Sequence, residues 1–144
     1  AFEIISTAQV SKSAAQAVGL GFLRPTDGIV MNRDRLLYDA KQKVLALAEG
    51  YQPPAPFEYR LPGPGGLVAL ELAVDGFAAQ GKATPHDVVV SKAVARVLTG
   101  DMLDTMSEDD MTGLERAAFM TLVRNPASLA RTEHMLTTGK PLRN

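Results

Sequence analysis

Few side chains in this sequence have the type and spacing that chemistry requires. The glycine-rich run GPGG, at residues 63–66, precedes a predicted helix, and glycine amides at a helix N-terminus can bind a phosphate group. A dinucleotide-binding fingerprint would need a further glycine where the sequence has Val68, and no convincing strand precedes the run. The sequence therefore favours a simple turn into a helix here.

A second glycine motif, TGKP at residues 138–141, has part of the composition of a phosphate-binding loop. It lacks the upstream glycine at the required spacing, and it follows a predicted helix instead of preceding one. Gly139 can adopt the left-handed backbone that ends a helix, and Pro141 prevents the helix from resuming. We interpret the motif as a helix terminator.

The two histidines do not predict a metal site. His86 and His134 are far apart in the sequence, and their acidic neighbours Asp87 and Glu133 are adjacent residues, which do not share a helix face. His86 stands at a predicted helix start and is expected to be solvated.

No nucleophile-elbow sequence surrounds any of the serines that could act as nucleophiles, which are Ser11, Ser91, Ser107 and Ser128. Ser11 and Ser107 are expected to be helix caps. The sequence thus assigns no catalytic, no cofactor-binding and no metal-binding residue.

Charge is distributed unevenly near the C-terminal end. One stretch holds six acids and no base: Asp101, Asp104, Glu108, Asp109, Asp110 and Glu115. The last 21 residues hold four bases against the single acid Glu133: Arg124, Arg131, Lys140 and Arg143. Two interpretations stay open: solvated helix surfaces, or a basic end that meets an acidic partner or a phosphorylated ligand.

The composition is that of one globular domain. The 144 residues are 46% hydrophobic and 22% charged, and the net charge of -1 gives no reason to expect nucleic acid as a partner. The absence of cysteine excludes disulfides and thiolate metal sites. No membrane span and no signal peptide are predicted, so a cytoplasmic location is expected. The chain begins without Met and within a helical pattern, as part of a longer protein would.

The periodicity predicts an all-α, mainly helical fold with at most a strand stub at residues 29–31. A short helix is expected in the first ten residues, followed by one that begins at Ser11 and stops at Gly19. A helix over residues 33–49 has an apolar face of Leu36, Leu37, Ala40, Val44, Leu47 and Ala48. Four more helices are predicted: residues 66–79, from Pro85, from Ser107, and from Pro126 to Thr138.

Capping signals define two of these helices. Thr84 with Asp87, and Ser107 with Asp110, have the spacing of a capping box.

The segment YQPPAPFEYRLPGPGG, residues 51–66, follows the predicted helix at residues 33–49. It is expected to be an extended connector, because proline disfavours helix.

The motifs resemble a known family. The stretch VSKSAAQAVGLGFL, followed by a short strand and a long helix, is similar to the end of a crotonase-fold, or enoyl-CoA hydratase/isomerase, domain. The segments LPGPGG, LERAAFM and RTEHMLTTGKPLRN resemble the C-terminal extension of fused 3-hydroxyacyl-CoA dehydrogenase/enoyl-CoA hydratases of fatty-acid β-oxidation. The resemblance covers nearly the whole chain.

The resemblance implies three regions: residues 1–50 as the end of a crotonase-like domain, residues 51–66 as a Pro/Gly-rich connector, and residues 67–144 as a helical extension. It implies NAD and acyl-CoA for the parent enzyme, whose catalytic residues would all lie upstream. This chain alone is expected to bind no cofactor and to be inactive. Its expected roles are packing on the upstream domains, covering the acyl-CoA site, or oligomerisation.

A different function class stays open, namely a free-standing helical protein-interaction module. If residues 1–50 are instead the end of a crotonase-like domain, in this chain alone they would expose apolar side chains without their usual cover: Phe2, Ile5, Leu20, Phe22 and Leu23. Because a soluble monomer rarely exposes a large apolar patch, we expect this segment either to self-associate or to fold back on the helices after residue 66, and we favour self-association into a homo-oligomer.

Overall fold

The computed structural model describes residues 1–101, 103 and 105–144. Asp104, one of the six clustered acids, lies outside the described residues. The α-helices are α1 (Phe2–Ser6), α2 (Ala14–Gly19), α3 (Leu36–Ala48), α4 (Gly63–Ala79), α5 (Pro85–Thr99), α6 (Glu108–Leu122) and α7 (Pro126–Thr138), and the strands are β1 (Glu58–Arg60) and β2 (Thr105–Ser107). The prediction of a mainly helical fold is confirmed. No helix in the described part of the chain is long and apolar enough to cross a membrane.

The chain divides into two compact units. Unit 1 consists of Ala1–Ala8 and Pro56–Asn144, and unit 2 is Gln9–Ala55. In unit 1, α4 packs along α5, and α1 and α6 also pack on α5. The small core of unit 1 contains Val74 and Ala95, and the buried Thr99 hydroxyl donates a hydrogen bond to the Ala95 carbonyl at 2.8 Å.

Both capping boxes form as predicted. The Thr84 side chain accepts a hydrogen bond from the Asp87 amide, while the Asp87 carboxylate accepts one from the Thr84 amide at 2.9 Å. Ser107 and Asp110 make the same reciprocal pair at the start of α6. These caps satisfy amides that have no partner within the helix, so they fix where α5 and α6 begin. Gly139 has a φ of 68° and ends α7 in the left-handed conformation, as expected.

The predicted strand stub at residues 29–31 is wrong, because those residues form no strand. The strands lie instead in unit 1, where β1 and β2 pair antiparallel and Tyr59 stands opposite the buried Met106. A three-residue strand persists only where a partner satisfies its backbone amides and carbonyls. Single-sequence periodicity does not reveal which of several short candidates finds that partner.

Two predicted helix starts are also wrong. The connector was expected to stay extended through residue 66, but α4 already begins at Gly63, because Pro64 lies in the first turn, where a missing amide costs nothing. In unit 2, α2 is capped by Ser13, whose hydroxyl accepts from the Gln16 amide, and not by Ser11. The left-handed glycine after α2 is Gly21 and not Gly19, which is the last helical residue.

The long helix of unit 2 forms without burying its apolar face. A 3-10 turn at Arg33–Arg35 leads into α3, and Gly50, with a φ of 71°, follows as the expected stop. Leu37 is 82% exposed and Val44 is 64% exposed. The predicted helix is therefore confirmed in position, and the apolar side chains predicted for its buried face are exposed.

Candidate functional site

The GPGG run builds a turn and a close contact. Gly63 has a φ of 62°, a conformation that side chains rarely adopt. A Cβ at Gly66 would collide with the Pro62 side chain and lie 3.5 Å from Cγ2 of Thr99. Backbone conformation accounts for Gly63 and packing accounts for Gly66 without a ligand, which supports the interpretation as a turn into α4.

His86 is buried, which corrects the expectation that it would be solvated. The residue is 5% exposed, and Nε2 lies 2.9 Å from Oγ of Ser128. His86 lies in the first turn of α5, as predicted, but its ring meets Ser128 of α7 there instead of solvent. Burial, assisted by the Arg131 charge, lowers the pKa of His86 from its ordinary value of 6.5, and the nearby Asp87 opposes that shift.

A histidine beside a serine hydroxyl has the geometry of an activated nucleophile, but this pair lacks access. Neither His86 nor Ser128 lines either of the two cavities described below. Asp87 cannot orient the imidazole in the usual way, because its carboxylate is already paired with Arg131. We assign the pair a structural role, as a hydrogen bond between α5 and α7.

Arg131 is the centre of the most connected polar network in the described residues. Its Nη2 donates to Oδ1 of Asp87 at 2.8 Å and to Oγ1 of Thr84 at 3.1 Å. Its Nε donates to Oδ1 of Asn144 at 2.7 Å, and the Asn144 amide donates onward to the Ala127 carbonyl at 3.1 Å. One guanidinium therefore joins the first turn of α5, the body of α7 and the last residue of the chain.

The network fixes the charge of Asp87. Burial by itself would raise the pKa of this carboxyl, but the hydrogen bonds from Thr84 and Arg131 and the Arg131 charge outweigh burial and lower it below 3.8. Asp87 is therefore ionised near neutral pH, and its two oxygens are divided between the helix cap and the ion pair. A carboxylate held in this way is a poor general base.

An open cavity of about 730 Å³ lies beside this network, and we call it the α1–α7 cavity. Its apolar wall is formed by Phe2 of α1, by Ala73, Val74 and Phe77 of α4, and by Pro141 and Leu142 after α7. Two exposed cations of the lining, Lys82 and Arg143, form what we call its lip, and Nη2 of Arg143 donates to the Lys82 carbonyl at 3.3 Å. The volume is in the range of about 300–1,000 Å³ that is typical of small-molecule sites.

A second depression of about 450 Å³ lies between α5 and α6. The charges of its lining sum to zero, because the acids Glu71 and Asp101 are matched by the bases Lys92 and Arg96. Lys92 is also engaged outside the depression, where Nζ lies 2.7 Å from Oδ1 of Asp75. This depression offers no convergent set of polar groups for a ligand.

The described residues contain no group of three or more His, Asp or Glu side chains that could hold a metal ion. Of the four bases near the C-terminal end, Arg131 is internal to the network, whereas Arg124 and Lys140 are exposed. Sequence reasoning missed the network and both cavities. Only the Thr84–Asp87 capping box indicated that Asp87 had a fixed position, and nothing in the sequence linked it to Arg131.

Comparison with known proteins gives one informative relative. No family model matches the chain. No solved structure matches it either. The chain is 40% identical over 147 residues to a probable 3-hydroxyacyl-CoA dehydrogenase of Bacillus subtilis (strain 168), in an alignment that covers 99% of this chain and 19% of the relative. The expected resemblance to a 3-hydroxyacyl-CoA dehydrogenase is thus confirmed for a segment that spans about a fifth of that protein's length.

Proposed function

We propose that this chain is the C-terminal helical part of a fatty-acid β-oxidation enzyme that combines 3-hydroxyacyl-CoA dehydrogenase and enoyl-CoA hydratase activities. The observation that carries the proposal is the 40% identity across 99% of the chain to a probable 3-hydroxyacyl-CoA dehydrogenase. Similarity that runs from end to end of this chain, but over only 19% of the relative, is what a segment of a larger enzyme would give.

Under this proposal the chain is not catalytic by itself. The GPGG run gives no support to NAD binding, because Gly63 is accounted for by a turn and Gly66 by contact with Pro62 and Thr99. The His86–Ser128 pair lines no cavity, and Asp87 is held by Arg131. Oxidation of the hydroxyacyl-CoA and hydration of the enoyl-CoA would therefore use residues elsewhere in the enzyme.

The role we assign to the chain is packing. In the longer polypeptide, residues 1–50 would complete a crotonase-like domain, residues 51–66 would connect, and residues 67–144 would form the extension. The three regions follow the resemblance to the parent enzyme, whereas the two compact units follow the contacts within this chain. Helix α1 therefore belongs to the first region by resemblance, although it packs in unit 1. The exposed face of α3 would then lie against the preceding domain, or would complete a subunit interface.

The exposure of the apolar side chains of α3 supports this role. Leu37, Val44 and Leu47 lie on one side of the helix and are each at least 60% exposed. Burial of one such side chain contributes roughly 1.5–3 kcal/mol, so three together provide a strong drive to find a covering surface. If these apolar side chains stayed exposed in the native protein, they would contribute no burial energy to its stability.

The test compares one substitution in two contexts. Leu37→Gln should leave the unfolding midpoint of the 144-residue chain nearly unchanged, because Leu37 is already 82% exposed there. In the full-length polypeptide the same substitution should lower stability by about 1.5–3 kcal/mol, because it would place an amide in a buried contact. Urea unfolding of both proteins, followed by circular dichroism, measures the difference.

The matched control is Lys41→Gln, on the same helix and also exposed. It should have a negligible effect in both contexts. Equal effects of Leu37→Gln in the chain and in the long polypeptide would contradict the packing role. A native protein that consists of this chain alone would favour the free-standing interaction module instead.

A further inference from the structure

The α1–α7 cavity combines an apolar wall with an excess of positive charge at its lip. Three cationic side chains line it, Lys82, Arg131 and Arg143, against the acids Glu3 and Asp87. Because Arg131 is paired with Asp87 at 2.8 Å, the remaining cations are Lys82 and Arg143, with only Glu3 to oppose them. The lining therefore carries a net positive charge that is located at the lip.

The two lip cations are brought together from distant points in the sequence. Arg143 donates a hydrogen bond to the Lys82 carbonyl at 3.3 Å, although 61 residues separate them. Within the described residues neither side chain forms a salt bridge. Lys82 donates only to Oε1 of Gln80 at 2.7 Å, and its Nζ lies 5.9 Å from the centre of the Phe77 ring. Arg143 is thus held beside the backbone of Lys82, and neither charge is neutralised by a carboxylate of the described residues.

The cavity also has a hydroxyl group without a partner. Oγ of Ser6, on α1, is buried and has no hydrogen-bond partner among the described atoms. Ser6 lines the α1–α7 cavity. A buried hydroxyl normally has a partner, so this one favours a ligand that carries polar atoms.

We propose that the α1–α7 cavity binds an amphipathic anion, a molecule with an apolar body and a single carboxylate or phosphate headgroup. The body would lie along Val74, Phe77 and Leu142, and the headgroup would meet Lys82 and Arg143. This assignment goes beyond the proposed function, which gives the chain a packing role, and either can fail without the other.

Isothermal titration calorimetry on the 144-residue chain tests the site with decanoate and, in a second arm, decyl phosphate. Saturable binding at one site per chain is expected in at least one arm, and the stronger arm identifies the headgroup. Decanol, which keeps the body without the charge, and acetate or inorganic phosphate, which keep the charge without the body, should each bind at least about tenfold more weakly.

Three variants locate the binding. Lys82→Gln and Arg143→Gln should each weaken binding about ten- to hundredfold, since each removes a charged partner of the headgroup. Ala73→Phe should abolish binding by filling the apolar wall without removing any packing group. Lys140→Gln, an exposed lysine outside the lining, is the matched control and should bind like the parent chain.

The far-ultraviolet spectrum of each variant should match that of the parent chain, which separates loss of the site from loss of the fold. Absence of saturable binding in both arms would overturn the proposal. So would binding that Lys82→Gln, Arg143→Gln and Ala73→Phe all leave unchanged, or equal binding of decanol and decanoate.

Discussion

Replacing Arg131 tests whether the polar network holds the C-terminal segment and α7 to α5. Arg131→Met keeps much of the apolar stem of the side chain and removes the guanidinium. The variant loses the ion pair to Asp87 at 2.8 Å and the hydrogen bond to Asn144 at 2.7 Å. Asp87 keeps its hydrogen bond from the Thr84 amide, so the substitution does not leave a carboxylate without any partner.

The cost follows from the partial burial of the pair. The Arg131 and Asp87 side chains are 25% and 32% exposed, respectively. Fully exposed pairs contribute about 0–1 kcal/mol, while breaking a buried pair costs about 3–5 kcal/mol. We therefore expect Arg131→Met to lower the free energy of unfolding of unit 1 by about 2 kcal/mol near neutral pH, as measured by urea unfolding.

The pH dependence has a definite sign. The folded-state pKa of Asp87 lies below its ordinary value of 3.8, so the unfolded state binds more protons between the two values. The stabilisation that Asp87 provides is complete above 3.8 and is lost as the pH falls through the folded-state pKa. The difference between the parent chain and Arg131→Met should therefore shrink below that pH.

Arg124→Met is the matched control, because Arg124 is exposed and makes no ion pair within the described residues. A double-mutant cycle with Asp87→Asn should give a coupling energy of about 1–2 kcal/mol between Asp87 and Arg131. The reasoning is refuted if Arg131→Met costs no more than Arg124→Met, or if the coupling energy is zero.

Four further predictions concern the helices, the buried histidine and association. Gly100→Ala should destabilise the chain by more than about 1 kcal/mol, because Gly100 has a φ of 77° and a Cβ there would collide with the Leu103 carbonyl. Gly113→Ala, within α6 and in open space, should instead stabilise the chain by about 0.5–1 kcal/mol. Thermal unfolding compares the two variants. Ser107→Ala should cost about 1 kcal/mol in the same assay by removing the cap of α6. Because the folded-state pKa of His86 is lowered, the stability that the neutral imidazole provides is complete above pH 6.5 and is lost as the pH falls from 6.5 through the folded-state pKa. Nuclear magnetic resonance titration should place the His86 midpoint below 6.5. The 144-residue chain should self-associate in light scattering across a dilution series, and Phe22→Asp should reduce that association, because Phe22 is 49% exposed.

Local signals in the sequence were sufficient for most of the helical framework. Capping boxes and left-handed glycines act within a few residues, so Thr84, Ser107 and Gly139 could be placed from the sequence alone. The strand pairing of Tyr59 with Met106 could not, because it joins positions 47 residues apart and depends on the tertiary fold.

The candidate site depended on tertiary contacts to a greater degree. Arg131 meets Asp87 across 44 residues, and His86 meets Ser128 across 42, so no periodicity or spacing rule connects them. The cavity lip has the same origin, since Arg143 reaches the Lys82 carbonyl from the far end of unit 1. Sequence patterns identified helices with capped ends, whereas the fold decided which of their polar side chains came together.

The mass of the native polypeptide that contains this sequence tests the central proposal most directly. Antibodies against the 144-residue chain can isolate that polypeptide from cells for intact mass spectrometry. Because the chain spans 19% of the dehydrogenase relative, the account predicts a polypeptide about five times the 15.4 kDa of this chain. A native polypeptide of 15.4 kDa would contradict the account.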